Sequence, residues 1–172
     1  MIICDIDGTV LNVNERIAAT LREIGVEPGP HGARVADGLR GKQRSMFFDV
    51  FLSEKYTHLD TRIPQVIATI EKLQVATALP LVFVSGRPSN MRRSTSKGLA
   101  QTGLAYEAVI LKPQRQQMRP TAGFKVEAIR DRGYEPVHVF DDDAEILAAV
   151  AAVYPHAAYY LVTGDYATPW HD

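Results

Sequence analysis

The first chemistry in the chain lies in "DIDGT", residues 5–9, directly behind the short apolar run Met1-Ile2-Ile3-Cys4. If residues 2–6 form a strand, alternation of side chains puts Asp5 and Asp7 on one side of the backbone. Two carboxylates that close repel each other unless a cation, a donor or a proton stands between them. The pair therefore asks for a metal or for proton chemistry at a strand end. Asp141, Asp142 and Asp143 repeat the situation behind a second apolar run, "PVHVF". Asp143 suffices to cap a helix that follows, because acids favour a helix N-terminus; two more acids before it exceed what a cap needs.

The elements that must position these acids follow from periodicity. Five apolar runs of strand length occupy 2–6, 81–84, 107–111, 137–140 and 157–162. Between the later ones lie helical stretches at 64–78, 89–102, 121–132 and 143–153. The first of these aligns Val66, Ile67, Ile70 and Leu73 and has Pro64 in its first turn; the last aligns Ile146, Leu147, Val150 and Val153. Ser89 is placed to cap the second. The alternation predicts a Rossmann-like α/β fold, three layers deep (α/β/α), with a parallel sheet of about five strands. In such sheets ligands sit outside the carboxyl ends of the strands. That rule collects Asp5, Asp7, Ser85, Lys112 and Asp141 to Asp143 along one edge.

Residues 12–63 break the alternation. Two helices, about 14–24 and 41–56, flank the Gly/Pro-rich stretch "GVEPGPHGARVADGLRG". They read as a small helical cap inserted after the first motif, leaving 1–11 and 64–172 as a catalytic core. Phe47, Phe48 and Phe51 share one helical face and are expected to form the cap's own packing core rather than a substrate platform.

The length of 172 residues fits one domain with such an insertion, and 46% apolar with 23% charged residues is the composition of a soluble globular chain. The single cysteine rules out an internal disulfide and suits a reducing compartment. No apolar run approaches the ~20 residues of a membrane span, and no secretory pattern opens the chain, so the expected address is the cytoplasm. A net charge of −1 hides an asymmetry: Arg87, Arg92, Arg93, Lys97, Lys112, Arg115 and Arg119 are opposed only by Glu107 over 87–119. Arg34, Arg40, Lys42 and Arg44 form a second basic group. Each group reads either as a solvated surface or as a surface for a phosphate-rich substrate. Cys4 lacks the arginine six positions on that a cysteine phosphatase requires, that position being Val10, and reads as a small buried residue. His31, His58, His138, His156 and His171 have no zinc-ligand spacing, and neither nucleotide-binding glycine motif occurs.

Taken in order, "DIDGT" after a strand, "VFVSGRP" after the next, the lysine of "GFKVEAI" and "VFDDD" resemble the haloacid dehalogenase (HAD) superfamily. The resemblance covers about residues 1–11 and 64–166. A narrower set, "VFVSGRP", "MRP", the "FK" helix, "VFDDD" and "LVTGDY", resembles the phosphatase half of phage polynucleotide kinase and small stand-alone phage phosphatases. Those relatives usually carry arginine where this chain has Asp143.

The resemblance implies roles. Asp5 is the nucleophile that forms an aspartyl-phosphate, and Asp7 is the general acid and base. Mg2+ is bound by Asp5, the Asp7 main-chain carbonyl and Asp141, with Asp142 acting directly or through water. Ser85, Gly86, Thr9 and Lys125 hold the phosphoryl group, with Lys112 the competitor for the lysine role. Gly8 allows the sharp turn behind the nucleophile. Arg87 is a fork for a second phosphate or for the leaving group. The expected function is a Mg-dependent phosphomonoester hydrolase acting on a nucleic-acid 3′-phosphate end or a nucleotide. The alternatives are a small-metabolite phosphatase working under its cap, and a non-enzymatic receiver-like phosphoacceptor. The expected partner is a phosphorylated small molecule or nucleic-acid end. The sequence points to no membrane and to no stable protein partner.

Overall fold

The computed structural model describes residues 1–29 and 32–171; Pro30 and His31 of the Gly/Pro-rich stretch, and Asp172, lie outside the described residues. Strand β1 (Ile2–Cys4) is flanked on both sides by parallel strands, β4 (Leu81–Pro88) and β6 (His138–Asp141). A strand covered on both faces must be apolar throughout, and Ile2-Ile3-Cys4 is. Beyond β4 lies β5 (Ala108–Lys112), and beyond β6 lie β7 (Ala158–Thr163) and β8 (Tyr166–Trp170). The sheet order is β5-β4-β1-β6-β7-β8, parallel except for β8. The chain builds outward from β1 through β4 and β5, then returns to the other side, so the winding reverses at β1. The reversal opens a crevice at the carboxyl ends of β1 and its two neighbours.

Alternation along the strands feeds two cores. Ile2, Cys4, Leu81, Phe83 and Phe140 face α4 (Pro64–Thr77) and Leu99 of α5 (Arg92–Ala100). Ile3, Val82, Val84 and Val139 face α6 (Thr121–Arg130) and α7 (Ala144–Ala151). Asp143 caps α7, its Oδ1 accepting from the amides of Glu145 (2.8 Å) and Ile146 (3.4 Å).

The segment outside the alternation folds as α1 (Asn14–Glu23), α2 (Gly32–Gly38) and α3 (Gly41–Phe51) around Leu21, Leu39 and Phe47. A two-stranded antiparallel ribbon, β2 (Leu11–Asn12) with β3 (Thr61–Arg62), ties its two ends together. Phe51 stacks on Phe47 at 5.3 Å, as a packing core requires, whereas Phe48 is 37% exposed.

Several details differ from the sequence reading. The sheet has a sixth strand, because Gly164-Asp165 makes a two-residue hairpin that returns β8 along β7. Trp170 thereby packs edge-on against Tyr159, 6.0 Å between centroids. α3 stops at Phe51 instead of 56, and α2 was not expected. Ser89 does not cap α5; it opens a single 3-10 turn ahead of it. The helix α4 ends in Ala78, which adopts φ +54° in the left-handed region. An L-residue there is strained by roughly 1–2 kcal/mol, while glycine loses somewhat more chain entropy on folding. Ala78→Gly is therefore expected to raise unfolding free energy by about 0.5–1 kcal/mol in urea denaturation, with an unchanged denaturant slope.

Candidate active site

The Asp5 amide donates to the Phe140 carbonyl (2.9 Å), locking the end of β1 to the end of β6 and setting Asp5 beside Asp141. α6 buries Phe124, Ala128 and Ile129, and Lys125 shares that buried face near the strand ends. Its ammonium lies 2.6 Å from Asp5 Oδ1 and 2.6 Å from Asp141 Oδ2. The other Asp141 oxygen accepts from the Asp143 amide at 3.1 Å. Asp142 completes the group at its solvent-facing rim: carboxylate atoms of Asp5, Asp141 and Asp142 all lie within 4.8 Å of one another. Gly8, at φ +77°, makes this approach possible, because a Cβ there would collide with the Asp142 carboxylate.

Asp5, Asp141 and Lys125 titrate as one unit. Burial pushes both carboxyls up, and Lys125 draws them down. Burial alone would lower the Lys125 ammonium, but Asp141 and Asp5 hold it above its ordinary value. Desolvation and then Asp141 push the Asp142 carboxyl up to about 7. Three carboxylates face one lysine, so the fully ionised floor carries excess negative charge. An all-oxygen donor set with that excess fits a hard divalent cation such as Mg2+.

Asp7 belongs to a different set. Its carboxylate accepts from Arg87 Nε (3.0 Å to each oxygen) and, at Oδ1, from Arg87 Nη2 and Arg16 Nη2, both at 2.5 Å. Burial alone would raise the Asp7 carboxyl; Arg87 and Arg16 outweigh it and hold it at about 2. Arg87 also reaches Asp60 Oδ2 (2.7 Å) and Thr95 Oγ1 (3.3 Å), and Arg16 Nε lies 3.1 Å from Asp60 Oδ1.

The expectation for Arg87 is corrected here. The pairing of β4 with β5 is irregular between Ser85 and Pro88, which re-aims Arg87 inward. At 1% exposure, with its guanidinium committed to Asp7, Asp60 and Thr95, it is not free to grip a second phosphate. Lys125, not Lys112, reaches the acids; Lys112 is buried under the loop after β5, donating to the carbonyls of Arg119 (2.5 Å) and Gln117 (3.4 Å). Ser85 is buried with its Oγ accepting from the Arg87 amide at 3.2 Å. Gly86 sits against Thr121, whose Cγ2 would lie 3.1 Å from an added Cβ. Thr9 is fully buried and its hydroxyl has no hydrogen-bond partner among the described residues. Arg16 and Asp60 went unnoticed in the sequence. Their only signal is that each is a charged residue set beside an apolar stripe, Arg16 next to Ile17 and Leu21, Asp60 ahead of Ile63.

No family model and no curated protein sequence matches the chain. Solved structures do. A haloacid dehalogenase-like hydrolase from Streptococcus pneumoniae aligns with TM-score 0.62 at 16% identity, over 92% of this chain and 81% of that one. A protein from Lactobacillus plantarum described as a phosphoglycolate phosphatase aligns with TM-score 0.63 at 15% identity, over 94% and 84%. One from Thermotoga maritima described as a β-phosphoglucomutase aligns with TM-score 0.56 at 12% identity, over 88% and 80%. The fold is that of the HAD hydrolases. The match supports the superfamily resemblance in fold and does not extend to the narrower likeness with phage polynucleotide kinase. Among the described residues no helix is long and apolar enough to cross a membrane.

In this HAD fold the raised acids make protons compete with a cation. A carboxyl whose folded value is raised contributes stability below its unfolded value and loses it as pH rises through the folded one. The metal-free protein is therefore expected to lose stability from about pH 4 up to about pH 7, the Asp142 value. Mg2+ held by these acids would reverse that loss, so the rise in Tm on adding Mg2+ should be larger above pH 7 than below pH 6. Asp142→Asn should flatten the dependence, as followed by thermal denaturation across pH.

Proposed function

We propose that the protein is a metal-dependent phosphomonoester hydrolase of small phosphorylated metabolites, working through an aspartyl-phosphate on Asp5. The observation that carries this reading is the Lys125 ammonium bridging Asp5 and Asp141 beside Asp142, a carboxylate nucleophile held in a cation-seeking floor. An Asp5 oxygen attacks phosphorus while the bond to the ester oxygen breaks, and that oxygen leaves with a proton from Asp7. Water then attacks the acyl phosphate, gives its proton to Asp7 and releases inorganic phosphate. Lys125 neutralises the phosphoryl oxygens, with Ser85, Gly86 and Thr9 lining the same strand ends. A Mg2+ ion held by Asp5, Asp141, Asp142 and the Asp7 carbonyl would supply charge neutralisation for the nucleophile and the phosphoryl group. Without substrate Asp7 is an anion, because two arginines grip it. An arriving phosphate dianion raises its proton affinity by like-charge repulsion, which moves it toward the acid the first step needs.

Two observations favour small substrates. The structural relatives include proteins described as a phosphoglycolate phosphatase and a β-phosphoglucomutase. Arg87, the residue that would have held a neighbouring phosphate, is turned inward. The three-helix insertion would then act as a cap that excludes water during turnover. A second reading, hydrolysis of a nucleic-acid 3′-phosphate, rests on Arg92, Arg93 and Lys97, exposed on and near α5 just past the strand ends.

Phosphate release measured with and without Mg2+ from a small carboxylic-acid phosphate, a sugar phosphate and a 3′-phosphorylated oligonucleotide separates the readings. Mg2+-dependent turnover is expected, faster on the small esters, and Asp5→Asn should reduce it by several orders of magnitude. Preferred turnover of the oligonucleotide would move the substrate to nucleic-acid ends. A phosphoprotein that persists for minutes without turnover would replace hydrolysis with a receiver-like role.

A further inference from the structure

We propose that Asp60, acting with Arg16, is a positioning residue for Asp7, so that the two roots of the helical insertion are part of the proton-transfer apparatus. This inference rests on the phosphatase reading above. Asp60 precedes β3 at the end of the insertion, and Arg16 lies in α1 at its start. Both reach back under the strand ends, Arg16 with 0% and Asp60 with 7% exposure.

The four side chains close a ring. Asp7 touches both arginines, Asp60 touches both arginines, and the ring holds two positive and two negative charges. Each guanidinium is therefore shared. Arg87 is divided between Asp7 and Asp60 and steadied by Thr95 Oγ1 at 3.3 Å. Arg16 donates Nη2 to Asp7, holds its Nε 3.1 Å from Asp60 Oδ1 as an ion pair without a hydrogen bond, and lies over the Phe51 ring, 4.3 Å from its centroid. Two buried guanidiniums side by side repel each other, and Asp60 is what counters that repulsion away from Asp7. Without it the ring has one excess positive charge and only Asp7 left to offset it. Both forks would then draw the Asp7 carboxylate into themselves and away from a leaving oxygen. The fork geometry matters as well as the charge, because a bidentate guanidinium fixes direction and an ammonium does not.

A residue that acts only through Asp7 has a signature that a purely structural one lacks. In the first half-reaction Asp7 delivers a proton to the leaving oxygen. An alkyl leaving group needs that proton; a nitrophenolate does not. The value of kcat/KM reports that half-reaction alone when the aspartyl-phosphate forms irreversibly. The experiment measures kcat/KM of the full-length wild type and Asp60→Asn with Mg2+, on glycerol phosphate and on p-nitrophenyl phosphate. General acid catalysis contributes 10²–10⁴-fold, so partial misplacement of the acid should lower kcat/KM for glycerol phosphate by about 10–100-fold. The aryl ester should change by less than about 3-fold, and Asp60→Glu should recover part of the loss. Arg16→Lys keeps the buried charge but loses the guanidinium that spans Asp7 and Asp60; it is expected to show the same split, and carries the test if Asp60→Asn does not fold. Equal losses on both esters, or no loss on either, with an active wild type would overturn this proposal alone. A wild type that hydrolyses neither ester would overturn it together with the phosphatase reading.

Discussion

A buried carboxylate, Asp5, and a half-buried one, Asp7, separated by one residue can coexist here because each is given its own cationic partners. Asp5 is held by Lys125, from a helix of the core, and Asp7 by Arg87 and Arg16, from a strand end and from the insertion. Leaving one partner of a buried pair without the other typically costs about 3–5 kcal/mol, so neither set tolerates the loss of its cation. The rest of the architecture serves this division. The reversal of winding at β1 brings β4 and β6 alongside it, so that Arg87 arrives from one side and Asp141 from the other. The irregularity in β4 turns Arg87 toward Asp7, and the tight turn at Gly8 lets Asp142 close over the first motif.

The insertion is bound into this scheme electrostatically as well as by packing. Its own core is small, centred on Leu21, Leu39 and Phe47, and its ribbon is only two residues a strand. Arg16 joins the parts: its guanidinium lies over Phe51 of α3 while its Nη2 reaches Asp7. A second tie runs from Glu54, which accepts the Ser94 amide of α5 at 3.2 Å. The insertion is thus seated on the core by the charges that surround the chemistry, and a shift in its seating alters those charges first.

The parallel core was legible in the sequence because buried strands are apolar runs and the helices between them carry clear stripes. The grouping of Asp5, Asp141 and Asp142 was legible because strand-end acids have no inexpensive structural use, whereas Lys125 was named by the resemblance alone, the strand-end pattern pointing to Lys112. Strand β8 escaped because Pro169 argues against a strand. It is tolerated only because β8 is the sheet's edge, where a missing amide leaves no partner unpaired. Helix α2 escaped because it is bounded by Gly32 and Gly38 and buries no residue fully. The role of Arg87 was misjudged for a different reason. An arginine behind a Ser-Gly pair reads as an anion clamp, and nothing local announces that the anions are the protein's own Asp7 and Asp60. Asp60 lies far from Arg87 along the chain, and only the fold brings them to 2.7 Å.

The two carboxylates are displaced in opposite senses, the reverse of what the proposed hydrolysis would require of them. Burial favours protons on the Asp5 and Asp141 pair, while the arginines strip Asp7. A nucleophile must be ionised and a general acid protonated. A divalent cation held by Asp5, Asp141 and Asp142 would favour their ionised forms, as the proposed role of Asp5 as nucleophile requires. Under the same reading a phosphate dianion beside Asp7 would oppose the arginines and raise its affinity for a proton. Lys125 and the arginine ring keep the two acids electrostatically separate, since no cation among the described residues bridges Asp5 to Asp7 directly.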